Sequence, residues 1–176
     1  MNTLVKAQEH LDEFMNSDEK CVLITGTHQY QKHVLALRTV AKYAEHSNIL
    51  LRVNALQNLG TILEEPNANY KSGVGYRTGN NKLFFDSLKT TTWRNTPHNI
   101  DYAILYPLDS AMKSNNMQEL LDDLLTYKRP QKVFFVSWTD HYDYSSLNSV
   151  VDRHIIYDVE EEDPEYHQRV LNVIKR

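Results

Sequence analysis

Short stretches in which nearly every residue is apolar alternate along this chain with longer stretches in which apolar residues return every three or four positions. The first pattern marks strands buried on both faces, the second marks helices with one buried side. Leu4, Ala7, Leu11, Phe14 and Met15 predict an opening helix that ends near Asn16 to Asp18. Cys21 to Thr25 follows as a strand, then Gln31 to Glu45 as a helix with Val34, Leu37, Ala41 and Ala44 on its inner face. Asn48 to Val53 is a second strand, and Ala55 to Leu63 a short helix. Tyr102 to Tyr106 is a third strand, stopped by Pro107. Met117, Leu120, Leu121, Leu124 and Leu125 form the clearest apolar stripe, a helix closed by Pro130. Val133 to Val136 and His154 to Tyr157 supply two more strands, and Pro164 opens a last helix carrying Tyr166, Val170, Leu171 and Ile174.

Apolar strands separated by helices require a mainly parallel sheet covered on both sides, so the expected fold is a three-layer αβα domain with about five strands over 1–176. Ligands of such sheets sit beyond the carboxyl ends of the strands, which directs attention to the loops after Thr25, Tyr106, Val136 and Tyr157. One region breaks the alternation. Between Pro66 and Pro97 lie three of the five glycines, and Gly79-Asn80 separates short aliphatic and aromatic runs, which predicts an inserted β-hairpin over 67–96.

Charge sharpens that picture. The hairpin segment carries Lys71, Arg77, Lys82, Lys89 and Arg94 against one acid, Asp86, a balance of +4 in a chain whose net charge is −4. Aromatic residues interleave with these cations, so Lys71, Tyr76, Arg77, Lys82, Trp93 and Arg94 are candidates for contacting nucleic acid or a partner by stacking beside positive charge. A solvated hairpin explains the same residues, and the acidity of the whole argues against a dedicated nucleic-acid binder. The opposite charge is gathered at 158–165, where Asp158, Glu160, Glu161, Glu162, Asp163 and Glu165 precede and open the last helix; solvated loop or helix start is the expectation there.

Composition bounds the setting. A single cysteine, Cys21, excludes an internal disulfide and a cysteine-rich zinc site, and its place in a strand marks it as core. The apolar runs are far short of the roughly 20 residues of a membrane-spanning helix. The start has no secretory apolar segment, so a cytoplasmic location away from membranes is expected.

The chemistry concentrates at Gly26 to His33. A strand, a glycine, then a lysine six residues later at the head of a helix is the layout of a phosphate-binding loop, in which backbone N–H groups wrap phosphates, lysine reaches the terminal ones and a hydroxyl holds Mg²⁺. Gly26 and Lys32 keep the spacing, but Gln31 replaces the second glycine and His33 the hydroxyl. Gly26, Thr27, Gln31, Lys32 and His33 are therefore the candidate phosphate or nucleotide contacts. An acid at the end of the third strand should orient Mg²⁺; Asp109 fills that role three residues late, and Asp140 follows the fourth strand as a second candidate ligand. Asp140, His141 and Asp143 could equally cap the segment that follows them.

These residues and the order of elements resemble the P-loop NTPase superfamily, with RecA-like and AAA+ domains the nearest comparison, and in particular its members with an incomplete Walker A motif. The resemblance implies ATP with Mg²⁺ as a candidate cofactor, with none required. It also implies a non-catalytic relative that acts as an adaptor, loader-like or inhibitory subunit through contacts with another protein, in DNA replication or mobile-element and phage biology. Two readings stand beside it: a nucleotide-binding NTPase with an atypical loop, and a small metal-dependent nucleic-acid-binding or nuclease-like protein using Asp140, His141 and Asp143.

Overall fold

The computed structural model describes residues 1–174. Helix α1 (Leu4–Met15) starts where the Thr3 hydroxyl accepts from the Lys6 backbone N–H, an N-cap that satisfies one of the free donors of the first turn. Strand β1 (Cys21–Thr25) leads to α2 (Lys32–Tyr43) and β2 (Asn48–Val53), followed by a 3₁₀ turn at Leu56–Asn58 and α3 (Leu59–Ile62). Then come β3 (Tyr76–Thr78), β4 (Asn81–Ser87), α4 (Thr90–Trp93) and β5 (Tyr102–Leu105). Helices α5 (Leu108–Lys113) and α6 (Met117–Asp122) follow; α6 widens into a π-helical turn over Asp123–Lys128 and stops at Arg129, whose φ of 47° is left-handed. Strand β6 (Lys132–Val136), a 3₁₀ turn at Ser145–Leu147, β7 (Arg153–Ile156) and α7 (Pro164–Ile174) complete the described chain.

The strands form one sheet in the order β3-β4-β2-β5-β6-β1-β7, parallel except for β3. Two separate cores flank it, which makes the fold the expected αβα sandwich. Ala7, Leu11 and Phe14 of α1 and Leu35, Ala36 and Val40 of α2 pack on one face; Trp93, Leu108, Ala111, Leu120 and Leu124 pack on the other. Cys21 is part of the second core, where burial, and then the nearby Asp152 charge, push its thiol up to about 11.

Three features correct the sequence expectation. The sheet has seven strands where about five are expected, because the hairpin joins it: β3 and β4 pair around Gly79-Asn80, and β4 runs parallel to β2 from Asn48↔Lys82 to Val53↔Ser87. That pairing buries both Phe84 and Phe85. The inner face of α2 is also rotated. Its buried residues are Lys32, His33, Leu35, Ala36, Thr39 and Val40, and the expected Ala41 is exposed. Hydropathy alone misplaces the face because Lys32, His33 and Thr39 each place a buried polar atom on a backbone carbonyl. Finally, Arg52 is fully buried in β2, with Nε and Nη2 on the Asp86 carboxylate (2.7 and 2.8 Å) and Nη2 also on Asp123 (2.7 Å). Lys128 closes this network onto Asp123 at 2.9 Å, Thr96 donates to Asp86 at 2.7 Å, and the guanidinium lies 4.4 Å from the Trp93 ring centre.

Candidate functional site

The loops after β1, β5, β6 and β7 converge at the carboxyl edge of the sheet. This is where parallel strands leave a crevice, because β1 feeds α2 toward β2 while β7 lies on its other side. Gly26 turns the chain out of β1 with φ 130°, and a Cβ there would lie 2.0 Å from the Tyr157 carbonyl oxygen, so only glycine fits against the end of β7.

The first four backbone donors of this loop, from Gly26 to Gln29, are taken up by the protein itself. The Gly26 N–H donates to Asp140 Oδ2 at 2.7 Å and the Thr27 N–H to Asp158 Oδ1 at 2.9 Å. The His28 N–H donates to the Tyr157 carbonyl at 3.2 Å and the Gln29 N–H to the Thr27 carbonyl at 2.9 Å. Two carboxylates thus stand on the kind of N–H groups that wrap phosphate oxygens in a phosphate-binding loop, as a protein-borne anion would. Asp140 adopts φ 59°, and its other oxygen accepts from the Ser137 hydroxyl, which sets its direction toward Gly26.

The side chains of the loop point inward as well. Lys32 is fully buried, and its ammonium donates to the carbonyls of Gly26 and, at 3.1 Å, Trp138. Thr27 Oγ1 accepts from the Val159 N–H at 3.0 Å and shares a 2.7 Å hydrogen bond with His167 Nδ1 of α7. Thr25 Oγ1 lies 2.7 Å from His154 Nε2. Gln31 opens α2 without a side-chain capping bond.

His33 donates from Nε2 to the Ile62 carbonyl at 2.9 Å and stacks on Tyr106, ring centres 4.4 Å apart. Burial holds its pKa below the ordinary 6.5. The unfolded chain therefore binds the proton more readily, and stability contributed by neutral His33 is lost as pH falls below 6.5. Denaturant midpoints measured from pH 7.5 down to 5 should show this as part of the acid slope, at most about 1.4 kcal/mol per pH unit. The His33→Gln variant should have a shallower slope over that window; an unchanged slope would remove His33 from the account.

The candidate metal ligands are both engaged. Asp109, in the first turn of α5, accepts from the Trp138 N–H (2.6 Å), the Thr139 N–H (3.0 Å) and the Thr139 hydroxyl (2.7 Å). It holds the loop after β6 in the way Asp140 holds the loop after β1. His141 Nδ1 lies 2.9 Å from Thr139 Oγ1, and Asp143 accepts from the Ser145 N–H at 2.9 Å, capping the 3₁₀ turn. Among the described residues, no group of three or more His, Cys, Asp or Glu side chains is placed to hold a metal ion. With His33 where a hydroxyl would serve and Asp109 committed to backbone donors, the residues present do not fit a Mg²⁺-nucleotide.

The acidic segment, expected to be solvated, contributes to the site. Asp158 is buried, His28 Nε2 lies 3.0 Å from Glu162, and Asp163 accepts from the Tyr166 N–H at 3.0 Å at the start of α7. The only available sequence signal was that these acids follow the last strand, at the same sheet edge as Gly26.

The hairpin candidates lie at the far side of the sheet. Lys71, Arg77, Lys82 and Arg94 are exposed, and the Tyr76 hydroxyl accepts from the Lys71 N–H at 2.8 Å. Trp93 departs from its expected stacking role. It is buried, its indole N–H donates to the Ser87 carbonyl at 2.7 Å, and its ring faces Arg52.

No family model matches the chain, and no curated protein does. Among solved structures it is similar to the large terminase of a thermophilic bacteriophage in complex with ADP, with a TM-score of 0.62 at 10% identity. The match covers 94% of this chain and 49% of the terminase, so the chain spans about half the length of that protein. No described helix is long and apolar enough to cross a membrane. At this identity the likeness is one of architecture alone: the chain shares an αβα fold with the matched half of that protein.

Proposed function

We propose that this chain is a non-catalytic P-loop NTPase-like protein that acts as an adaptor, loader-like or inhibitory subunit through protein contacts, in the DNA handling of a phage or mobile element. The observation that carries the reading is the self-capped loop. Asp140 and Asp158 occupy the Gly26 and Thr27 N–H groups, and Lys32 is turned onto two carbonyls. A nucleotide would have to displace both carboxylates to reach these two N–H groups and draw out a buried ammonium to use Lys32. Gln31 and His33 weaken the case for turnover further. The fold likeness to a phage terminase supports the DNA-handling setting.

The bound ADP of that terminase favours a second reading, in which this loop still takes a nucleotide with Lys32 on its phosphates. Thermal unfolding in ATP, ADP and GTP, each with Mg²⁺, separates the two. A ligand at a hundred times its Kd stabilises the native state by about 2.7 kcal/mol, a rise in Tm of about 5–10 °C for a chain of this size. The expected result is an unchanged Tm and no phosphate release. A saturable shift with any of the three would replace the non-catalytic reading with the second.

A further inference from the structure

A second concavity opens beside the loop, between the start of α2 and the carboxyl ends of β2, β5 and β6. Its volume is about 260 Å³, and Tyr30, His33, Asn54, Asn58, Tyr106 and Trp138 supply most of its wall. None of its lining residues is Asp, Glu, Lys or Arg. A cleft without a cation does not select a phosphate, and one without an anion does not select an amine.

The wall is aromatic at the mouth and polar at one edge. Trp138 and Tyr30 flank it with 42% and 60% of their surface exposed, large aromatic faces that folding has left open to solvent. His33 and Tyr106, stacked on each other, line it from within. At the polar edge, Asn54 Oδ1 accepts from the Ala55 N–H and from Asn58 Nδ2, both at 3.0 Å. This bond locks the two amides together and leaves Asn54 Nδ2 as a donor and Asn58 Oδ1 as an acceptor, neither with a partner among the described residues.

We propose that this cleft binds a neutral nucleobase or nucleoside. Flat heteroaromatic rings stack on Trp and Tyr, and a base edge carries the adjacent acceptor and donor that the asparagine pair complements. An aromatic side chain of a protein partner would fill the volume and leave the amides unanswered, which is costly once the partner shuts water out of the cleft. The size agrees: 260 Å³ lies just under the roughly 300 Å³ at which drug-sized ligand pockets begin, and suits one ring system better than a whole nucleotide. The site shares Tyr30 and His33 with the phosphate-type loop but uses neither the Gly26 and Thr27 N–H groups nor Lys32, so it does not depend on whether that loop takes nucleotide.

The test is a fluorescence titration of the full chain with adenosine, guanosine, cytidine and uridine. Trp93 is buried under Arg52, so quenching reports on Trp138. Saturable quenching by at least one nucleoside is expected. The Trp138→Phe variant should lose the signal while calorimetry still registers binding, and Asn54→Leu should weaken affinity about tenfold or more. Tyr30→Ala, at an exposed position, serves as the variant that leaves folding intact and should also weaken binding. The proposal is overturned if no nucleoside quenches up to its solubility limit. It is equally overturned if tyrosine amide quenches as well as the nucleosides and Asn54→Leu changes neither. Because nucleosides carry no phosphate, their binding and a nucleotide shift at the loop are separate results.

Discussion

Asp86→Ala is expected to destabilise the protein by about 3–5 kcal/mol, the cost of leaving a buried charge without its partner. Arg52 and Asp86 are both fully buried, and the pair is bidentate, with Nε and Nη2 on separate carboxylate oxygens. Burial works against the Arg52 charge, but the hydrogen bonds and charge of Asp86, joined by Asp123, outweigh it and hold the guanidinium above its ordinary range. Removing Asp86 leaves Asp123 to serve Arg52 and Lys128 together, and also strips Thr96 of its acceptor. Thermal unfolding should register a loss of about 10 °C or more.

The double variant Arg52→Met, Asp86→Leu should recover part of this loss. It removes both buried charges while Asp123 keeps Lys128, and replacing a buried ion pair by apolar groups of similar volume is often close to neutral. A double variant less stable than Asp86→Ala would mean that the network stabilises by its specific hydrogen bonds rather than by compensating a charge already buried. The outcome matters for the fold because these residues tie β2 to β4 and to the π-helical turn, and β4 is the strand that carries the hairpin into the sheet.

Gly26→Ala is the second large effect. The added methyl would meet the Tyr157 carbonyl oxygen at 2.0 Å and its carbon at 2.5 Å, both backbone atoms, at a φ of 130° that side chains rarely adopt. The strain alone amounts to about 3 kcal/mol at such a position. Relief requires β1 and β7 to part where the His28 N–H meets the Tyr157 carbonyl, and this also disturbs the Asp140 and Asp158 caps. Denaturant unfolding should show the loss directly. A glycine kept only so that phosphate could approach would tolerate alanine with little change in stability, so a loss below about 1 kcal/mol would argue for that role and against the packing described.

Much of the architecture was legible in the order of residues. Five parallel strands were readable as short runs rich in apolar residues; β1, β2, β5 and β6 are buried nearly throughout because helices lie above and below, whereas the edge strand β7 is only partly buried. The hairpin turn was readable from Gly79-Asn80, but the joining of β4 to β2 was not, since pairing between strands this far apart leaves no local period. The loops that form the site were foreseen as a set from strand polarity alone. What each acid does in them was not. Asp109 and Asp140 have the residue type of metal ligands; capping of the following segment was the alternative for Asp140, but nothing in their neighbourhood along the chain says that their oxygens meet the N–H groups of Gly26, Trp138 and Thr139.

By itself, the sequence determined the class of the fold, the place of its crevice and the presence of Gln31 and His33 beside Lys32 in the loop, because those follow from periodicity and residue identity at fixed spacing. Only the tertiary structure decided that the loop is capped. Asp140 and Asp158 lie 114 and 131 residues from the donors they satisfy, and Lys32 turns inward to a carbonyl 106 residues away. A buried polar group must find a partner, but which partner it finds is set by the sheet order that brings distant loops to one edge.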